Sequence, residues 1–131
     1  MRSLYLIIIL ISLFSCKSKQ QIEVDKGNYK YSIVHSPNTY NDIPPRLKGK
    51  ILDKQTSEPL ENSAIMITLK DGKSIGTEPD KEGYFELDIP IGEYEIEVIS
   101  FEKTRIKTKK INFKTNKEYD FSFYMGTTIQ Y

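Results

Sequence analysis

Past residue 46 the chain alternates, and that alternation restricts the fold more than any other feature. Phe85, Leu87 and Ile89 are separated by Glu86 and Asp88; Tyr94, Ile96 and Val98 by Glu95 and Glu97. Tyr119, Phe121, Phe123 and Met125 are separated by Asp120, Ser122 and Tyr124. A period of two puts every second side chain on one face of an extended strand, so each run specifies a strand with a dry side and a wet side. Leu47, Gly49 and Ile51 share a side in the same way, as do Ile65, Ile67 and Leu69, and a short strand is expected over residues 73–78. Residues 105–113 break the rhythm. Ile106 is in one phase and Ile111 and Phe113 in the other, which requires either one bulged strand or two short ones.

Turn chemistry falls between these runs. Asp71-Gly72 and the stretch from Pro79 to Gly83 are hairpin signals, with Gly83 at a left-handed position; Pro90-Ile91-Gly92-Glu93 and Thr115-Asn116-Lys117 are further turns. No helical period competes. The expectation is an all-β fold, a seven-stranded Greek-key β-sandwich over residues 47–126 with a tail at 127–131. A chain of 131 residues has room for one such domain. Phe85, Tyr94, Phe121 and Phe123 are the expected centre of its core.

Composition narrows the chemistry. One Cys and one His permit no internal disulfide framework and none of the usual zinc spacings. A net charge of +1 argues against nucleic-acid binding by bulk charge. No catalytic residue, metal site or cofactor motif is assigned. Asp80, Glu82 and Asp53 would supply oxygens for Ca²⁺, but a charged hairpin loop accounts for them as well. Glu95 and Glu97 lie on one strand face, where solvation explains them without acid–base chemistry. A Lys48 or Lys50 cross-link to Asp120 would need all partners buried. His35 stands apart from any second ligand.

Residues 4–14 form an eleven-residue apolar run behind Arg2. A spanning helix needs roughly 20 apolar residues, so residues 1–15 read instead as a secretory signal. The run closes on Leu13-Phe14-Ser15-Cys16, which resembles the bacterial lipobox, with Phe14 departing from its usually small middle position. That resemblance implies cleavage before Cys16 and its acylation, each buried CH₂ adding about 0.8 kcal/mol of membrane attachment. No acidic residue follows within residues 17–21. By resemblance to Gram-negative lipoproteins, the expected location is the outer membrane, facing the periplasm, beside an envelope protein partner. Residues 16–46 are polar and Pro-rich and read as the lipidated end and a linker, in which residues 29–34 and Tyr40 are able to pack as a short strand or arm.

The order of signals resembles a known family, the carboxypeptidase regulatory-like domain, a prealbumin-like (transthyretin-like) sandwich. The matching pattern is Gly49-Lys50-Ile51-Leu52-Asp53, then Glu58-Pro59-Leu60 and Ser63-Ala64-Ile65-Met66-Ile67. It continues as Gly76-Thr77, Asp80-Lys81-Glu82-Gly83-Tyr84-Phe85-Glu86-Leu87 and Gly92-Glu93-Tyr94-Glu95-Ile96. The resemblance implies a non-catalytic module, because in that family the peptidase residues lie outside it. The related hydroxyisourate hydrolases use His and Arg side chains and a Tyr-Arg-Gly-Ser terminus, whereas this chain ends Gly126-Thr127-Thr128-Ile129-Gln130-Tyr131 and has no His in the sandwich. Two surfaces are then candidates. Lys103, Arg105, Lys107, Lys109 and Lys110 follow an acidic stretch, and either pair with it across the ladder or form a docking face. Tyr84, Tyr124 and Tyr131 would serve the alternative, a carbohydrate- or small-ligand-binding module.

Overall fold

The computed structural model describes residues 22–36 and 42–130. Cys16, Tyr40 and Tyr131 lie outside the described residues, as does the whole signal segment. Among the described residues there are twelve strands and no helix. In chain order they are β1 (Ile22–Val24), β2 (Asn28–His35), β3 (Arg46–Asp53), β4 (Ser63–Thr68), β5 (Ser74–Thr77) and β6 (Tyr84–Asp88). Then come β7 (Gly92–Tyr94), β8 (Ile96–Ser100), β9 (Ile106–Lys107), β10 (Ile111–Phe113), β11 (Lys117–Met125) and β12 (Thr128–Gln130).

Two four-stranded sheets form the sandwich, in the orders β2-β11-β3-β6 and β5-β4-β8-β9. Two short ribbons, β10-β7 and β1-β12, close its ends. The alternating residues meet between the sheets: Leu47, Ile51, Phe85, Tyr119, Phe121, Phe123 and Met125 from the first, and Ile65, Ile67, Ile96, Val98 and Ile106 from the second, are all buried. The four aromatics expected at the centre are buried as well. Phe121 stacks on Phe123 at 5.3 Å, and Phe113 meets Tyr119 edge-on at 4.6 Å.

The strand count exceeds the expected seven because two runs divide, the expected linker holds β1 and β2, and the expected tail at 127–131 holds β12. The run through Tyr94 and Val98 is broken at Glu95, so that β7 pairs with β10 while β8 pairs with β4 and β9. The irregular run through residues 105–113 is correspondingly two short strands rather than one bulged strand. Buried Thr108 holds the break. Its hydroxyl accepts from the Ile96 N–H at 2.9 Å, and its own N–H donates to the Ile96 carbonyl at 2.9 Å. Two backbone groups that a change of sheet would orphan are thereby satisfied.

The linker is corrected as well. Within residues 16–46, β2 is an eight-residue strand along the edge of the first sheet, antiparallel to β11 from Asn28↔Tyr124 to His35↔Lys117. The turn residue Asn116 pins the far side of the segment. The Ser36 N–H donates to its carbonyl at 2.9 Å, the Ile43 N–H to its side-chain oxygen at 2.8 Å, and the Asn116 N–H to the Ile43 carbonyl at 2.8 Å. The strand takes in residues 29–34, one of the two stretches the sequence left able to pack as a short strand or arm; polar and Pro-rich surroundings hid its full length and its place in the sheet.

Gly83 takes the left-handed conformation that the second hairpin requires, with φ at 83°. Gly49 has a different reason. Where β3 runs parallel to β11, a Cβ on Gly49 would collide with the Phe121 carbonyl oxygen. The obstacle is backbone, so no rotamer change relieves it. Gly49→Ala should therefore destabilise the domain by about 2–3 kcal/mol, read as a lower urea midpoint; an unchanged midpoint would show that β3 and β11 do not approach this closely.

Candidate functional site

Four surfaces gather the polar and aromatic side chains. The first lies at the end of the sandwich where the chain enters. Asp53, closing β3, receives the Gln55 N–H at 2.8 Å and the Thr56 N–H at 3.2 Å on one oxygen, and the Lys103 ammonium on the other. Lys103 also donates to the Thr127 hydroxyl at 3.0 Å. Next to it, Lys54 pairs with Asp25 at 2.7 Å, and Asp25 accepts from the Gly27 N–H at 3.0 Å. The Lys103 ammonium, with the two turn amides, holds the Asp53 carboxyl below the usual carboxylate range, against the opposing effect of burial. Asp25 is lowered likewise, chiefly by Lys54. These contacts join the loop after β3, the turn after β8 and the chain beside β1 and β12 into one clasp.

This arrangement reassigns several residues that the sequence offered for chemistry. Asp53 is committed to Lys103 and its own turn. Asp80 accepts from the Glu82 N–H at 2.9 Å and the Tyr84 N–H at 3.0 Å, which makes it the stop of the hairpin before β6. Of the two lysines considered for a cross-link, Lys48 pairs with Glu118 at 2.9 Å, and Asp120 is exposed rather than buried. His35, expected in a solvated linker, is exposed at the end of β2.

The second surface is the outer face of the second sheet. β8 and β9 are neighbours, with Glu97 opposite Lys107. Arg105 pairs with Glu97 at 2.7 Å and Lys107 with Glu95 at 3.2 Å. The acidic and basic stretches thus meet across the ladder, as one of the two expectations had it. The five basic residues are not one patch: Lys103 belongs to the clasp, Arg105 and Lys107 to this ladder, while Lys109 and Lys110 are exposed beyond it.

The third surface is the outer face of the first sheet. A trough of about 430 Å³ runs over β3, lined by Lys48, Lys50, Tyr84, Glu86, Asp120 and Ser122. Register explains the grouping, because Lys50 lies opposite both Ser122 and Tyr84, and Lys48 opposite both Asp120 and Glu86. Glu118 raises the Lys48 pKa, and Asp120 and Glu86 add to the effect at longer range. Tyr84 is 55% exposed. Tyr124 lies on the same face but one row and two strands away, with the Lys30 ammonium 5.6 Å above its ring. The two described tyrosines therefore do not form one platform.

The fourth surface is the free side of β2. Tyr31, Ile33 and Val34 are 46%, 52% and 49% exposed. The Tyr31 ring stacks on Phe121 at 4.7 Å, so the strand is firmly attached on its inner side while its other edge carries no strand among the described residues. Phe101, 76% exposed in the turn after β8, is a further apolar group that sequence reading passed over, since it lies outside the alternating runs.

The clasp carries an acid dependence. A carboxyl whose folded pKa is depressed stabilises the fold fully above its unfolded value, and that stabilisation is lost as pH falls through the folded value. Wild-type stability should accordingly decline as the pH drops below about 4. Asp53→Asn, which keeps the acceptor for the turn amides but removes the charge, should be less stable at neutral pH and show a shallower acid limb in pH-dependent melting. Superimposable acid limbs would show that Lys103 contributes no net stabilisation through Asp53.

Comparison with known proteins agrees with this architecture. No curated protein sequence matches the chain. Among solved structures it is similar to "a putative carbohydrate binding protein from Bacteroides uniformis ATCC 8492", with a TM-score of 0.51 and 16% sequence identity. That match covers 63% of this chain and 41% of the other, so the chain spans less than half the length of its structural neighbour, and at this identity the likeness is one of fold. The family model of the CarboxypepD_reg-like domain matches residues 47–130, from β3 to the end of β12. The chain therefore belongs to the carboxypeptidase regulatory-like domain family, with β1 and β2 placed before the matched region.

Proposed function

We propose that the protein is a non-catalytic interaction module of the cell envelope, tethered to the outer membrane through acylated Cys16 and docking a protein partner along β2. The observation that carries the reading is the contrast among sheet edges. Of the edge strands in the two sheets, β5 and β9 span only four and two residues, and β6 carries Glu86 and Asp88. Short or charged edges discourage strand addition. β2 is eight residues long, has Lys30 as its one Lys, Arg, Asp or Glu, and exposes Tyr31, Ile33 and Val34. An edge of this kind offers a line of backbone donors and acceptors to an incoming extended segment, with apolar side chains to set its register.

The basic residues are a weaker docking surface, since Arg105 and Lys107 already have carboxylate partners. The lipobox resemblance supports the tether, which would join the body close to β1. Fractionation and cross-linking in native envelopes test both parts. Cys16→Ser should move the protein from the membrane to the soluble fraction, and Ile33→Lys should leave it folded and membrane-bound but without its cross-linked partner. Equal pelleting of Cys16→Ser removes the tether, and undiminished cross-linking of Ile33→Lys removes the docking edge.

A second reading, carbohydrate binding, is favoured by the trough. An exposed Tyr84 ring offers a stacking face, while Lys50, Glu86, Asp120 and Ser122 present donors and acceptors that no ion pair or hydrogen bond among the described residues occupies. The name of the structural neighbour points the same way. Glycan-array binding that Tyr84→Ala abolishes would support it, and an array without signal would leave the trough unused.

A further inference from the structure

We propose that the occupant of the β2 edge is a second copy of this chain, paired β2 to β2 in antiparallel sense about a two-fold axis through Ser32. The inference rests on the docking reading above and names its partner. Antiparallel self-pairing admits only registers that keep inward residues opposite inward residues, because a one-residue slip turns every side chain to the other face. With Ser32 opposite Ser32 of the second copy, Tyr31 lies opposite Ile33 and Lys30 opposite Val34, each pair occurring twice. Tyr31 and Ile33 then cover one another, in the aromatic–β-branched combination that stabilises cross-strand pairs. Moving the axis to Tyr31 instead sets Ile33 against Tyr29, whose hydroxyl already accepts from the Lys109 N–H at 3.2 Å, and sets Val34 against Asn28.

Charge agrees with the same register. β2 carries Lys30 and no carboxylate. The row holding Val34 continues into β11 at Glu118 and into β3 at Arg46. Lys30, whose ammonium lies 5.6 Å from the Tyr124 ring of its own chain, would on turning toward the second copy pass over its Val34 toward its Glu118, a carboxylate paired among the described residues with Lys48 at 2.9 Å. The two Lys30 side chains are kept about 13 Å apart along the strands, four residues at the extended rise. The result is a continuous eight-stranded sheet built from two copies of β2-β11-β3-β6, an isologous contact of the kind that closes dimers.

Cysteine cross-linking of the full-length protein in native membranes tests the proposal, with the wild type as control for Cys16. Ser32→Cys should give a disulfide-linked dimer under mild oxidation. Lys30→Cys and Val34→Cys should each fail alone, yet link when the two variants are co-expressed. Adding Ile33→Lys to Ser32→Cys should lower the linked fraction about tenfold. No Ser32→Cys homodimer overturns the self-pairing. Should Ser32→Cys fail to link to itself while cross-linking in the envelope still captures a protein that Ile33→Lys releases, the docking reading survives and the self-pairing falls; should neither capture anything, both fall.

Discussion

The sandwich depends on the parallel contact between β3 and β11. These strands come from opposite ends of the domain, and their pairing from Glu118↔Arg46 to Met125↔Asp53 forms the middle of the first sheet. It sets Tyr119, Phe121 and Phe123 inward over the second sheet, and it brings Gly49 against the Phe121 carbonyl, where no side chain fits. Once β11 is seated it offers its other edge to β2. A contact between segments so far apart in sequence closes a long loop before it returns any burial. The side chains that reward it are aromatic, and aromatic burial is the largest single return available to a domain this small.

Around that core, the ionisable groups are largely spent on structure. Asp53 and Lys103 tie three loops at one end; Glu95 and Glu97 meet Lys107 and Arg105 across the β8–β9 ladder; Asp80 stops a hairpin. Exposed ion pairs of this sort contribute little each. The clasp differs, because Lys103 and Asp53 are mostly shielded from solvent and share further hydrogen bonds. It includes Asp25, which directly follows β1, the described strand nearest in sequence to the proposed tether. The surface left with unspent capacity is the β2 edge, together with the polar trough beside Tyr84. Both suit recognition.

Particular residues show how far the sequence could be read. The alternation through Phe85, Tyr94, Phe121 and Phe123 placed all four in the core. Turn chemistry marked the turn glycines, and the order of motifs resembled the carboxypeptidase regulatory-like pattern. It left open whether residues 105–113 were bulged or divided, because periodicity reports facing and not partners. Thr108, which settles the matter by bonding Ile96, carries no apolar signal of its own. β2 was legible only as a stretch able to form a short strand within a linker, because its core-side residues, Tyr29, Tyr31 and Ile33, are few, partly exposed and flanked by turn-forming residues. The split of the five basic residues among different surfaces was likewise invisible, since a run of like charges says nothing about which carboxylate folds back onto each.

Local side-chain alternation, then, determined that this chain is all-β and which faces are dry, because facing depends only on the two-residue repeat of an extended backbone. Tertiary structure alone decided which strands adjoin, where one run changes sheets and which edge carries no neighbour among the described residues. Those outcomes depend on hydrogen bonds between segments distant in sequence, and no local pattern encodes the partner of a backbone group.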